Sequence, residues 1–159
     1  MSKSLKRVTE VLAAAGLAAP PVEMAQETRT APQAAAAAGC ALDQIAKSIL
    51  FQGAQSGRVY LFVTAGGNQV DPGRAAALAG EALVRADAAV VRAQTGFAIG
   101  GVAPLGHPAP LPVWLDPRLM DFATVWAAAG TPRHIFPIAP ADLLRLSGAQ
   151  LADFARPPA

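Results

Sequence analysis

Fourteen glycines and fourteen prolines are spread through this 159-residue chain, and no apolar stretch runs far before one of them interrupts it. This punctuation limits the fold to short strands and short helices joined by tight turns. A membrane-spanning helix needs about 20 consecutive apolar residues. No window approaches that length, although hydrophobic residues make up 53% of the chain. The mean hydropathy of +0.34 is inflated by 38 alanines. With only 15% charged residues, a disordered, highly charged tail is excluded. The length suits one domain spanning residues 1–159.

Local signals place the elements. Leu5, Val8, Leu12 and Ala15 recur at helical spacing and Gly16 stops the run, which predicts a helix over residues 3–15. Thr30 and Gln33 have capping-box spacing before an alanine run that Gly39 closes. Ile45 to Phe51 and Val59 to Thr64 read as paired strands, the second apolar on both faces and therefore central. Asp71-Pro72 and Asp87 each start a short helix, with a strand at Leu83 to Arg85 between them. Leu111 to Leu115 reads as a strand, and Asp116-Pro117 starts a helical turn. Residues 124–129 and 134–138 form a hairpin, Pro140 to Leu146 a last helix, and the chain from Arg156 a frayed tail. The expected class is α/β, with a mixed sheet among short helices.

The composition narrows the chemistry. One cysteine and two histidines exclude an internal disulfide and any ordinary Cys/His zinc site, so neither metal nor cofactor is expected. Thirteen cations stand against eleven anions without a basic run, so charge permits a nucleic-acid partner but does not demand one. The basic start lacks a long apolar segment after it, which gives the expectation of a cytoplasmic protein that does not engage a membrane.

Two features stand out. Lys47 shares a strand face with Ile45 and Ile49, and an ammonium there must reach solvent or an anion. It is either an edge lysine or a cation at a pocket mouth. The segment 96–107 holds four glycines and one proline in twelve residues, so it is a shaped loop. It is either a structural bend or a set of main-chain N–H groups offered to a ligand. It matches neither a phosphate-binding loop nor a dinucleotide fingerprint. Cys40 sits among apolar residues with no histidine near it in sequence, and reads as structural. The residues present no catalytic dyad or triad.

Taken in order, Thr30-Ala, Gln44-Ile-Ala-Lys47-Ser-Ile-Leu-Phe51, Leu61-Phe-Val-Thr-Ala-Gly-Gly-Asn-Gln-Val-Asp71 and Thr95-Gly-Phe-Ala-Ile-Gly-Gly-Val-Ala-Pro-Leu-Gly-His107 resemble the YbaK / prolyl-tRNA-synthetase-associated editing domain family. The resemblance covers nearly the whole chain. It implies a mixed, partly barrel-like sheet surrounded by helices. It implies a free-standing, trans-editing aminoacyl-tRNA deacylase, acting above all on mischarged tRNA(Pro). The family carries out this hydrolysis without a protein nucleophile or a metal. The family lysine falls on Lys47, as the catalytic residue. Substrate-binding positions fall on Ser48, Gly100, Gly101, Pro104, Gly106 and His107. The partners implied are the 3′ end of the tRNA and an aminoacyl-tRNA synthetase. Two other readings keep the same pocket: a noncatalytic binding module, and a hydrolase of small-molecule esters. The edited amino acid stays open.

Overall fold

A computed structural model describes residues 2–17 and 19–158. Helix α1 (Lys3–Ala14) is capped by Ser2, whose hydroxyl accepts the Leu5 N–H, and it buries Leu5, Val8 and Leu12. Strand β1 (Val22–Glu23) follows. Helix α2 (Ala31–Ala38) carries the full capping box between Thr30 and Gln33, and Gly39 ends it in the left-handed region at φ +69°. Such a cap stabilises a short helix by about 1 kcal/mol, which matters where alanines supply little packing.

Strands β2 (Ile45–Gly53) and β3 (Val59–Ala65) form a long antiparallel pair, and every residue of β3 is buried. Then come β4 (Gln69–Val70), α3 (Pro72–Ala79), β5 (Leu83–Arg85) and α4 (Ala88–Thr95), the two helices capped by Asp71 and Asp87 as their spacing predicts. Strand β6 (Val113–Leu115) leads into a 3-10 turn at Pro117–Asp121. It starts two residues later than the apolar pattern predicts, because Pro112 has no N–H to contribute. Strands β7 (Val125–Ala128) and β8 (His134–Ile138) form the expected hairpin. Helix α5 (Pro140–Ser147), β9 (Gln150–Leu151) and β10 (Ala155–Arg156) complete the described elements.

The main sheet runs β1-β8-β7-β2-β3-β6-β9, with β5 also paired to β2. The order mixes parallel and antiparallel neighbours: β2 lies antiparallel to β3 and parallel to β7, and β3 lies parallel to β6. One face packs α1 residues against Leu61, Val63, Phe97, Leu115 and Phe136. The other carries an aromatic cluster, in which Phe62 stacks on Trp114 at 5.0 Å and meets Phe154 edge-on at 5.0 Å. The expectation of a frayed tail from Arg156 is corrected. Ala155 and Arg156 pair with Val70 and Gln69, and Arg156 lies 3.5 Å from the Asp71 carboxylate. Burial of Phe154 anchors this ribbon.

The β2–β3 turn is held from outside by Glu81. Its carboxylate accepts the Ser56 and Tyr60 hydroxyls at 2.6 Å and the N–H groups of Gln55 and Ser56 at 3.0 Å. A Cβ on Gly53 would overlap this carboxylate. The donors, with the Ser56 hydroxyl foremost, hold its pKa at about 2. A carboxylate depressed in the fold adds stability above its unfolded value of about 4.3 and loses it as pH falls through its folded value. Glu81→Gln is therefore expected to lower the Tm at pH 7, and the gap from wild type is expected to close as pH approaches 2. Thermal unfolding of both proteins across this range checks it.

Candidate active site

The site grows out of a break in the sheet. One edge of β2 is fully used by β3. The other edge pairs with β7 only at Ile45 and Ala46, and with β5 only from Phe51 to Gly53. Among the described residues, no strand pairs with 47–50 on that edge. Gly53 N–H donates to the Arg58 carbonyl at 2.8 Å. Antiparallel ladders alternate, so the odd members of β2 bond toward β3 and the even members face the other edge. The main-chain N–H and carbonyl of Ser48 therefore point into the break.

A cleft of about 390 Å³ occupies this gap. Its walls are the Thr28–Ala31 segment leading into α2, Trp126 to Ala128 of β7, Arg85 after β5, and Ile99, Gly100 and Val102 of the glycine loop. Three cations stand among the lining residues, Arg29, Lys47 and Arg85, and no carboxylate does. Arg29 is tied to Glu27 at 3.0 Å.

The pleat sends Lys47 and Ser48 to opposite faces. The Ser48 side chain shares its face with Ala46, in the main core, and with Leu50, which packs against that core. Its hydroxyl oxygen is buried and has no hydrogen-bond partner. Lys47 emerges between Ile45, which packs on α2, and Ile49, which packs on the aromatic cluster. Its ammonium donates to the carbonyls of Asn68 at 2.8 Å and Gly66 at 3.4 Å. The side chain thus turns toward the β3–β4 turn, where two carbonyls accept from it. Burial lowers its pKa, and the nearby Asp43 charge opposes that shift.

Of the glycine loop, Gly100 lines the cleft at φ +96°, and a Cβ there would lie 2.8 Å from the Arg29 guanidinium. The other loop positions stand outside this lining. Gly101 is pressed on the hairpin loop: a Cβ would stand 3.0 Å from the Thr131 main chain. Pro104 is buried. Gly106, at φ +80°, faces Arg7 and Val11 of α1. His107 bonds through Nε2 to the Ala103 carbonyl at 2.8 Å and meets Phe97 edge-on. Burial lowers its pKa, which favours the neutral ring.

Sequence reasoning missed Arg29, Arg85 and Trp126. Arg29 lies two residues ahead of a helix and Arg85 at a strand end, positions where arginine is ordinary. Only the packing of four separate segments brings them to one cleft. Asp116 was read as a cap, and its Oδ1 does accept the Arg118 N–H at 2.9 Å. Its Oδ2 also accepts from Ala65 N–H at 3.1 Å and from the Asn68 side chain at 2.9 Å, so it holds the turn on which Lys47 docks. Cys40 and His134 are absent from the lining, and burial raises the Cys40 pKa. Among the described residues, no group of three or more His, Cys, Asp or Glu is placed to hold a metal, and no helix is long and apolar enough to cross a membrane.

Comparison with known proteins places this architecture. A solved structure described as a candidate trans-editing enzyme for prolyl-tRNA synthetase is 46% identical, with a TM-score of 0.88 over 98% of this chain and 99% of that one. The hypothetical protein APE2540 is 29% identical, with a TM-score of 0.84 over 94% of this chain and 99% of that one. The uncharacterized protein YwhH of Bacillus subtilis (strain 168) is 34% identical over 125 residues, which is 79% of each chain. The model of the aminoacyl-tRNA editing domain matches residues 25–146, and the chain belongs to that family.

Proposed function

We propose that this protein hydrolyses the ester of a mischarged aminoacyl-tRNA in trans. The observation that carries the reading is the break in β2. It gathers the Ser48 main chain, Gly100 and three cations around one cleft whose lining holds no carboxylate. A terminal nucleotide brings phosphate charge, and an attacked ester develops negative charge on its carbonyl oxygen. Fixed N–H groups and cations stabilise both. Ser48 is a poor nucleophile here, because no histidine or carboxylate lines the cleft to take its proton. Water, or a ribose hydroxyl of the substrate, adds to the ester carbon. The carbon–oxygen bond to the ribose breaks, the ribose oxygen takes a proton, and free amino acid and tRNA leave. The protein's share is positioning and electrostatics. The neighbour described as a candidate trans-editing enzyme for prolyl-tRNA synthetase supports tRNA(Pro) as the substrate and that synthetase as the partner, and membership of the editing-domain family supports the cytoplasm as the place of action.

Release of free amino acid from a panel of aminoacyl-tRNAs tests this directly. Wild type is expected to deacylate at least one member catalytically, and Lys47→Ala to lose about 10² or more in turnover with a Tm near wild type. Binding of tRNA without turnover on any member would instead identify a noncatalytic module. Equal cleavage of esters lacking the tRNA body would identify a small-molecule esterase.

The loop glycines are expected to separate. Gly100→Ala places a methyl group at φ +96° and against Arg29 in the cleft, so turnover should fall by about 10². Gly101→Ala presses a methyl group on the Thr131 main chain and should lower the Tm with a smaller effect on turnover. Paired kinetics and thermal unfolding of the two variants check the contrast.

The alkaline limb of activity reports Lys47. Its charged form is disfavoured by burial and favoured by Asp43. If the ammonium is required, kcat/KM corrected for spontaneous hydrolysis should decline at a pH below the ordinary lysine value. Asp43→Asn removes the favourable charge and should move that limb to still lower pH.

A further inference from the structure

We propose that Arg29 takes the phosphate of the substrate's terminal nucleotide, and that Glu27 is a built-in competitor for the same guanidinium; this rests on the deacylase reading above. An aminoacyl ester has no free carboxylate, and its α-amino group is a cation. The anions that such a substrate brings to the cleft are therefore its phosphates. Of the three cations in the lining, Lys47 already donates to the Gly66 and Asn68 carbonyls. Arg29 instead bridges two of the cleft's walls, from its own segment to the glycine loop. Its Nη1 lies 2.8 Å from where a Cβ on Gly100 would stand, and its Cζ and Cγ lie 3.7 and 3.8 Å from the same point. The side chain thus runs along main chain that only a glycine leaves bare.

The main chain around Arg29 is held on both sides. The Thr28 N–H and hydroxyl donate to the Pro132 carbonyl at 2.7 and 3.1 Å, and Thr30 forms the capping box of α2. The Arg29 side chain is half exposed, as is that of Glu27, so a ligand can reach both. An exposed ion pair of this kind contributes little, whereas a guanidinium can give a phosphate two parallel charge-assisted hydrogen bonds. Glu27 accepts from Nε at 3.0 Å. A phosphate gripped through Nε and one Nη must displace it, and one gripped through both Nη groups still meets its charge. Glu27 stands outside the cleft lining and borders a neighbouring groove beside α2, where solvent receives it once it is displaced. Arg29 is thus a substrate-binding residue, and its resting counter-ion sets how strongly the cleft holds a phosphate and how readily the product tRNA leaves.

The test measures calorimetric binding of 5′-AMP and of adenosine to wild type, Arg29→Ala, Glu27→Gln, the double variant and Arg85→Ala, at one low salt concentration. Wild type should bind 5′-AMP about tenfold more tightly than adenosine. Arg29→Ala should bring the two affinities together, and Glu27→Gln should tighten 5′-AMP by about two- to fivefold while leaving adenosine unchanged. The double variant should behave as Arg29→Ala, because Glu27 acts only through the guanidinium. In steady-state deacylation, Arg29→Ala should raise KM far more than it lowers kcat, and Glu27→Gln should lower KM, as loss and gain of uniform binding require. A wild type that holds 5′-AMP no better than adenosine, absence of binding included, overturns the assignment. So does a 5′-AMP preference that survives in Arg29→Ala and disappears in Arg85→Ala. A Glu27→Gln effect that persists without Arg29 overturns the role of Glu27. Arg29-dependent 5′-AMP binding with no aminoacyl-tRNA cleaved defeats the deacylase reading and leaves the phosphate site standing.

Discussion

The pairing of β2 with β3 is the constraint on which the rest of this structure is built. Seven cross-strand pairs, from Ala46–Ala65 to Gln52–Val59, set the register. The pleat has a period of two, so a slip by one residue would exchange the faces of Lys47 and Ser48. The ammonium would then enter the core between Ala46 and Leu50, where nothing could pair with it. Because β3 is buried throughout, this cost makes the register strict. Once β3 takes one whole edge of β2, the site can form only on the other edge, and it does so where β7 has ended and β5 has not begun.

The β3–β4 turn shows how charge is arranged behind that edge. Three of its donors go to carboxylates: Ala65 N–H and the Asn68 side-chain amide to Asp116, and Gly67 N–H to Asp43 at 2.8 Å. Its carbonyls at Gly66 and Asn68 are left for Lys47. The paired glycines allow this closeness, since a Cβ on Gly66 would overlap the Leu42 carbonyl and one on Gly67 the Asp43 carboxylate. Asp116 is only 3% exposed, and three donors from three separate positions satisfy it. A buried carboxylate with that many partners fixes a turn more firmly than the loop's own sequence could. Lys47 is therefore held by a preorganised pair of acceptors.

Legibility from sequence followed the range of the interactions. The caps at Thr30, Asp71 and Asp87 act within three residues, and so were readable, as were the β2–β3 pair and the β7–β8 hairpin. The ribbon formed by β10 and β4 was not, because Gln69 and Arg156 are far apart in sequence and Phe154 gives no hint of which cluster it will join. In the site, Lys47 and Ser48 were visible as neighbours on a strand, but the direction of the ammonium depended on Asn68, Asp116 and Asp43 together. The glycine loop read as one unit. In the fold, Gly100 faces the cleft, Gly101 faces Thr131, and Gly106 faces α1, since a loop packed on both sides gives each position a different neighbour. Arg29 and Arg85 carried no local signal.

The near-neutral net charge of +2 fits a nucleic-acid substrate poorly until it is considered by region. Screening limits electrostatic reach to about 8 Å at physiological ionic strength, so a phosphate in the cleft feels the lining and little of the remaining surface. That lining holds Arg29, Lys47 and Arg85 without a carboxylate. The carboxylates beside these cations stand outside the lining: Glu27 is half exposed and paired with Arg29, and Asp43 lies near Lys47. Long-range attraction contributes little for such a protein, whereas attraction over the last few ångströms is strong. Under the deacylase reading, capture then depends on a single-stranded end fitting the break in β2. A synthetase that releases its product nearby raises the local concentration of that end, and the cleft's own charges complete the binding.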